Sequence, residues 1–314
     1  MKVVLHYRAS DGFRAQLDAA RPADMQLVIV DEADDAAFAR EMADAHALLH
    51  VLRPVTAADI ENARALRLIQ KIGVGVNTID LESAKKHNVA VCNMPGTNSQ
   101  AVAEMTLMLM LSTLRRVSFF DPLTRAGNGW TPDLAQLDQV GEIACRTVGL
   151  IGVGEIPKRL VPVLAALGAK VLVTARNPRA VDGAEYVPLD DLIARADIIS
   201  LHCPLTPETT GLISRERLAQ MKRGSILVNT ARGGLVDEAA LIDALKSGHL
   251  AAAGLDVFAQ EPTAKDNPLF ALSNVVLMPH IAWLTPETLQ RSLVIGFENC
   301  RRAMSGEPLL HRVV

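Results

Sequence analysis

The chain has few aromatic residues, 4% of its 314 residues, so its cores must be built from Val, Leu, Ile and Ala. Aliphatic cores of that kind suit parallel sheets covered by helices. Cysteine is scarce too: Cys92, Cys145, Cys203 and Cys300 lie far apart, with no CxxC pair and no neighbouring His at ligand spacing. This argues against a disulfide scaffold and leaves a metal site without a ligand set, so a reduced, cytoplasmic protein with no metal is expected. Charge of one sign is not in excess: 32 Lys and Arg face 35 Asp and Glu, a formal net charge of −3. So balanced a chain is not expected to bind nucleic acid. Its greasiest run, 105–114, is about half of what a bilayer requires, and the apolar N-terminal run is interrupted by His6 and Arg8. Neither membrane association nor export is expected.

What is present points to a globular protein. A composition 49% hydrophobic and 21% charged is too apolar for disorder, and 314 residues suggest about two domains. Short β-branched runs at 3–6, 27–30, 47–51, 68–72 and 90–93 alternate with helical stretches. A second series follows at 147–151, 170–174, 198–202, 225–229, 251–255 and 275–278. Such alternation predicts βαβ units and two parallel sheets. Between the series, residues 99–117 are apolar on nearly every side and predict a helix buried all round, either bridging two domains or packing on a second subunit. The pattern then weakens over 119–142, which reads as an irregular excursion.

The clearest chemical signal is Gly149-Leu150-Ile151-Gly152-Val153-Gly154-Glu155-Ile156-Pro157, a strand running through a glycine turn into a helix. Gly152 would permit the turn, and Gly154 the approach of a pyrophosphate to the helix N-terminus. The alternative is a structural strand-turn-helix. Pro157 replaces the usual third glycine, which only the first helical turn accommodates, and Glu155 must face solvent to avoid repelling phosphate. Where an acidic residue would hold the ribose hydroxyls of NAD, the chain has Ala175, followed by Arg176 and Arg179. Two guanidinium groups without a carboxylate suit a 2'-phosphate; otherwise they are ordinary surface arginines. Further strand ends carry Arg232, Glu261 and His280. Singly, each reads as a cap or a satisfied core residue. Together they can grip a carboxylate, tune a proton donor and move a proton.

These residues resemble the D-isomer-specific 2-hydroxyacid dehydrogenases. The resemblance rests on Val91-Cys92-Asn93-Met94-Pro95, the glycine turn, Leu201-His202-Cys203-Pro204-Leu205-Thr206-Pro207, Asn229-Thr230-Ala231-Arg232-Gly233-Gly234, Gly254-Leu255-Asp256-Val257-Phe258, Glu261-Pro262 and Pro279-His280-Ile281. It covers nearly the whole chain. It implies an α/β fold of two doubly wound parallel-sheet domains, with a Rossmann cofactor domain at 99–284 inserted into a flavodoxin-like substrate domain at 1–98 and 285–314, and an active site in the cleft. It assigns Arg232 to the substrate carboxylate, His280 to proton transfer and Glu261 to partnering His280.

By the same carry-over, Val74 and Gly75 would hold the substrate carboxylate through their backbone N–H groups, their alternative being a plain strand-end turn. Thr106, Gly152, Gly154, Glu155, Ile156, Arg176, Arg179, Cys203, Thr209, Thr230, Ala231, Asp256 and Ala282 would line the cofactor. Asp256 would accept from the nicotinamide amide, whereas Thr106 and Thr209 could instead cap helices. Arg53 falls in a loop that faces substrate in the family, and Trp283 would limit substrate size or meet a second subunit. The resemblance implies hydride transfer between a nicotinamide cofactor, NADPH favoured over NAD, and a small 2-oxo acid such as glyoxylate or hydroxypyruvate, in a homodimer. A chain ending at 314 without a regulatory domain leans away from phosphoglycerate dehydrogenase. Alternatives are a phosphoglycerate dehydrogenase-like enzyme using NAD, a dinucleotide-sensing corepressor-like binding protein, and a hydrolase or lyase with tightly bound NAD.

Overall fold

The computed structural model describes all residues 1–314 and divides the chain into two compact units, Met1–Asn98 with Trp283–Val314, and Ser99–Ala282. The first unit begins β1 (Lys2–His6), α1 (Asp11–Ala20), β2 (Gln26–Val30), α2 (Asp35–Met42), β3 (Ala47–His50), α3 (Ala57–Asn62), β4 (Leu68–Lys71), α4 (Leu81–Lys86) and β5 (Ala90–Cys92). Its five strands are parallel in the order β2-β1-β3-β4-β5, the doubly wound order of flavodoxin-like sheets. Helix starts are set locally: Ser10, Asp34, Thr56 and Asp80 each accept a backbone N–H of the first turn, satisfying one of the donors a helix start leaves unpaired.

The second unit contains α5 (Ser99–Leu114), α6 (Val117–Arg125), α7 (Leu134–Leu137), β6 (Thr147–Ile151), α8 (Glu155–Ala166), β7 (Lys170–Thr174), β8 (Glu185–Tyr186), α9 (Leu189–Arg195), β9 (Ile198–Leu201), α10 (Arg215–Gln220), β10 (Ser225–Asn229), α11 (Glu238–Lys246), β11 (Leu250–Leu255) and β12 (Val275–Leu277). Its seven-stranded sheet runs β12-β11-β10-β9-β6-β7-β8, all parallel. The chain then returns to the first unit through α12 (Pro286–Ser305), which ends at Gly306 in the left-handed conformation.

Several sequence expectations change. The apolar helix over 99–117 stops at Leu114, because Arg116 adopts a φ of 53° and redirects the chain into α6. Helix α5 is not covered all round: Met108 and Leu111 are more than a third exposed, while Leu109 and Met110 are buried against the sheet. Gly254 of β11 permits that contact, since a Cβ there would lie 2.9 Å from Leu109 Cβ. The excursion over 119–142 contains α6 and α7, and the second sheet gains a short edge strand, β8, that its two exposed residues did not announce. Trp283, expected to limit substrate size or meet a second subunit, is 8% exposed and lies edge-on to Tyr7 at 6.0 Å within the first unit's core.

Candidate active site

In the second unit the polar residues cluster where the strands end, as expected for an open parallel sheet. Strand β6 runs into Gly152, whose φ of 119° suits glycine alone, and a Cβ there would sit 2.5 Å from the His202 carbonyl oxygen. Gly154 caps α8 without any side-chain bond, and a Cβ on it meets nothing within 4 Å. An open approach to uncapped N–H groups at a helix N-terminus fits a pyrophosphate. Pro157 lies in the first turn of α8, where its missing N–H is not needed. Glu155 turns along its helix to Lys158 at 2.8 Å and Arg159 at 3.3 Å, and these bonds hold its carboxyl below the usual range. Ile156, beside it, is half-buried.

Beyond β7, Tyr186 donates to the Ala175 carbonyl at 3.0 Å, fixing the start of the turn that carries Arg176 and Arg179. Both arginines are exposed. Cys203 is partly buried, which pushes its thiol up to about 11. Thr209 works within its own loop, accepting from Thr206 N at 2.7 Å and donating to the Pro204 carbonyl at 2.7 Å. Thr106 is fully buried, donates to the Val102 carbonyl at 2.7 Å and meets Thr230 Oγ1 at 2.9 Å, so it ties α5 to the loop after β10 rather than capping a helix.

That loop carries Arg232. Asn229 shapes it, accepting from Ala231 N at 3.0 Å and donating to the Arg232 carbonyl at 2.8 Å. Arg232 itself donates to the Ala231 carbonyl at 2.7 Å. Gly233 then passes so close to the loop after β11 that a Cβ would lie 1.9 Å from Phe258 C and O. This approach brings Arg232 under the influence of Glu261. Burial lowers the guanidinium pKa and the Glu261 charge opposes that shift.

Glu261 accepts from Phe258 N at 2.9 Å with one oxygen and contacts His280 Nδ1 at 2.5 Å with the other. Burial pushes its carboxyl up most strongly, but His280, the Phe258 N–H and the Arg232 charge together outweigh this and the net shift is downward. A carboxylate at Nδ1 orients the imidazole and leaves Nε2 for chemistry. His280 has a φ of 58°, and Asp256 stabilises the turn after it by accepting from Ile281 N and Ala282 N, both at 2.9 Å. Asp256 is fully buried and Ala282 is 4% exposed. Asp256 thus latches the backbone of the His280 turn with both of its oxygens. Burial raises the Asp256 pKa. No group of three or more His, Cys, Asp or Glu is arranged to hold a metal.

In the first unit, Val74 is 45% exposed, and the turn is fixed by Asn93 Nδ2 donating to the Val74 carbonyl at 2.9 Å and Met94 N to the Gly73 carbonyl at 2.8 Å. Sequence reading missed a second feature here. His6, His50 and Lys71, the last residues of β1, β3 and β4, stand side by side in register and are buried. Arg53 contacts His6 Nε2 at 3.4 Å, pairs with Asp35, and places its carbonyl 2.7 Å from His50 Nε2.

Comparison with known proteins agrees with this architecture. The D-isomer specific 2-hydroxyacid dehydrogenase NAD-binding domain matches residues 107–282. The chain is 41% identical over 285 residues, 88% of its length, to D-3-phosphoglycerate dehydrogenase of Mycobacterium leprae (strain TN), and spans 53% of that relative. It is 40% identical over 251 residues to glyoxylate reductase of Aeropyrum pernix, 76% of this chain and 74% of the other. Among solved structures, NAD-dependent formate dehydrogenase from Staphylococcus aureus in complex with NAD superposes with a TM-score of 0.88 at 27% identity, covering 100% of this chain and 99% of that one. An acyclic imino acid reductase in complex with NADPH and D-Arg gives 0.84 at 28% identity, with full coverage of both chains. The chain belongs to the D-isomer-specific 2-hydroxyacid dehydrogenase family, and a nicotinamide cofactor is supported by the NAD-binding domain and by these complexes.

Proposed function

We propose that the protein reduces a small 2-oxo acid to a D-2-hydroxy acid at the expense of NADPH, with glyoxylate or hydroxypyruvate as substrate. The observation that carries this reading is the 2.5 Å contact between Glu261 and His280, beside a half-buried Arg232. Arg232 grips the substrate carboxylate as a planar fork. A nicotinamide cofactor held at the Gly152–Gly154 turn would supply hydride for the substrate carbonyl carbon. His280, oriented by Glu261, delivers a proton from Nε2 to the carbonyl oxygen, and in the reverse direction takes it back. Asp256 keeps the imidazole on station through the backbone of its turn.

The preference for NADPH rests on Ala175, Arg176 and Arg179. The residue after β7, where an acidic side chain would hold the ribose hydroxyls of NAD, is Ala175, and each arginine can give a 2'-phosphate a charge-assisted hydrogen bond worth about tenfold or more in affinity. Homodimerisation through the partly exposed Met108 and Leu111 face of α5 belongs to the same proposal. The test is a panel of 2-oxo acids with each cofactor, followed by nicotinamide absorbance, in native protein and in Arg176→Ala. Selective loss of NADPH use in the variant is expected. Native preference for NADH, or no turnover of any 2-oxo acid, refutes the proposal.

A further inference from the structure

At the amino ends of β10, β11 and β12, the edge of the second sheet opposite the His280 cluster, lies a small cavity with about 60 Å³ of free space. Arg116, Arg146, Ser118, Gln139, Ser273 and Asn274 supply its polar lining, and no carboxylate side chain lines it. The two cations are held there without an ion pair. Arg116 gives Nη1 to Gln136 Oε1 at 2.5 Å and to Gln139 Oε1 at 2.7 Å, and its guanidinium lies 4.9 Å from the Phe119 ring centroid. Those contacts leave Nε and Nη2 to donate. Arg146 gives Nε to the Glu142 carbonyl at 2.7 Å, which leaves both terminal nitrogens. Its guanidinium is seated on Gly141, where a Cβ would lie 2.4 Å from Nη2, and Gly141 N is bonded to the Leu114 carbonyl at 2.9 Å.

The backbone also holds the arginines against its own preference. Arg116 has a φ of 53°, and Cys145, directly before Arg146, a φ of 63°. Non-glycine residues in this region are unfavourable and concentrate at functional positions; His280 is another. Burial lowers the Arg116 pKa, as expected for a cation withdrawn from water without a counter-charge.

We propose that this cavity is a phosphoryl-binding site, formed by the guanidinium groups of Arg116 and Arg146, for free phosphate or the phosphoryl end of a small metabolite. Two planar forks approaching one small polar space suit a tetrahedral oxyanion, which can accept from both at once. The cavity lies at the amino ends of the strands, whereas Gly152 follows the carboxyl end of β6, so the site is separate from the dinucleotide site and does not depend on the proposed reaction.

The test is calorimetric titration of inorganic phosphate into the full chain at low ionic strength, with the cofactor site saturated by NADPH so that Arg176 and Arg179 are occupied. Saturable binding is expected, weakened about tenfold or more in Arg116→Met and in Arg146→Met. Circular dichroism and thermal unfolding identify the folded variants, and Arg146→Gln serves if the methionine variants do not fold. A phosphomonoester binding more tightly than phosphate assigns the site to a metabolite; equal binding assigns it to the free ion. Absence of binding, equal affinity in folded variants, or succinate binding as well as phosphate overturns the proposal.

Discussion

Gly233→Ala tests the geometry of the site without touching a functional side chain. The added methyl would lie 1.9 Å from Phe258 C and O and 2.5 Å from Ala259 N, all backbone atoms. Ordinary contact requires roughly 3.4 Å, so one loop must move by about 1.5 Å. The loop after β11 is anchored on both sides, Phe258 N to Glu261 at 2.9 Å and Ala259 N to Glu238 at 2.8 Å. The displacement therefore falls on Arg232 relative to Glu261, or drags Glu261 away from His280. Misplacement by about 1 Å can lower turnover by about a hundredfold, and overpacking costs about 1–3 kcal/mol of stability. Steady-state reduction of the best 2-oxo acid should show kcat/KM falling by about two orders of magnitude. Cofactor affinity, read by quenching of protein fluorescence, should change little, and the thermal midpoint should drop. Near-native kcat/KM in Gly233→Ala would refute the claim that the close approach at Phe258 sets the site.

His280→Gln should reduce turnover by about two to four orders of magnitude while substrate affinity falls less, measured by comparing kcat with KM. Arg232→Lys keeps the charge but loses the fork, so 2-oxo acid use should fall steeply with cofactor binding unchanged; equal loss of both would make Arg232 structural. Acid should destabilise the first unit through its two buried histidines, because burial lowers the pKa of His6 to about 4 and of His50 to about 3. The unfolded chain then binds more protons below its own histidine pKa of about 6.5, so this stability is complete above that pH and is lost as pH falls. Each histidine contributes a slope of about 1.4 kcal/mol per pH unit in that window. Urea midpoints that do not shift on acidification, or that shift as much in His6→Gln and His50→Gln, would contradict the assignment.

Legibility in the sequence followed locality. The glycine turn, Arg232, Glu261 and His280 each sit where an apolar run ends, and strand ends of an open parallel sheet are where such residues act. The break between α5 and α6 was hidden because it depends on the left-handed conformation of Arg116, a residue with good helix propensity. The row of His6, His50 and Lys71 was equally hidden: its members are distant in sequence and become neighbours only through the register of three strands. Trp283 looked like a site residue because it follows His280 closely, yet packing against Tyr7 consigns it to a core.

The two carboxylates after β11 show why proximity to a motif does not decide a role. Glu261 is the more exposed, its side chain 32% accessible, and the contact with His280 holds it in its charged form. A charged partner is what an imidazole needs in order to be oriented through Nδ1 while Nε2 works. Asp256 is fully buried, and burial raises its pKa, so its charge is the costlier of the two to maintain. Two backbone N–H groups offset that cost, and both belong to residues directly after His280. One carboxylate thus acts on the side chain of His280 and the other on the main chain that presents it. The unfavourable φ of 58° at His280 is held from that second direction, which is why a buried acid matters to the site through the main chain that presents the imidazole.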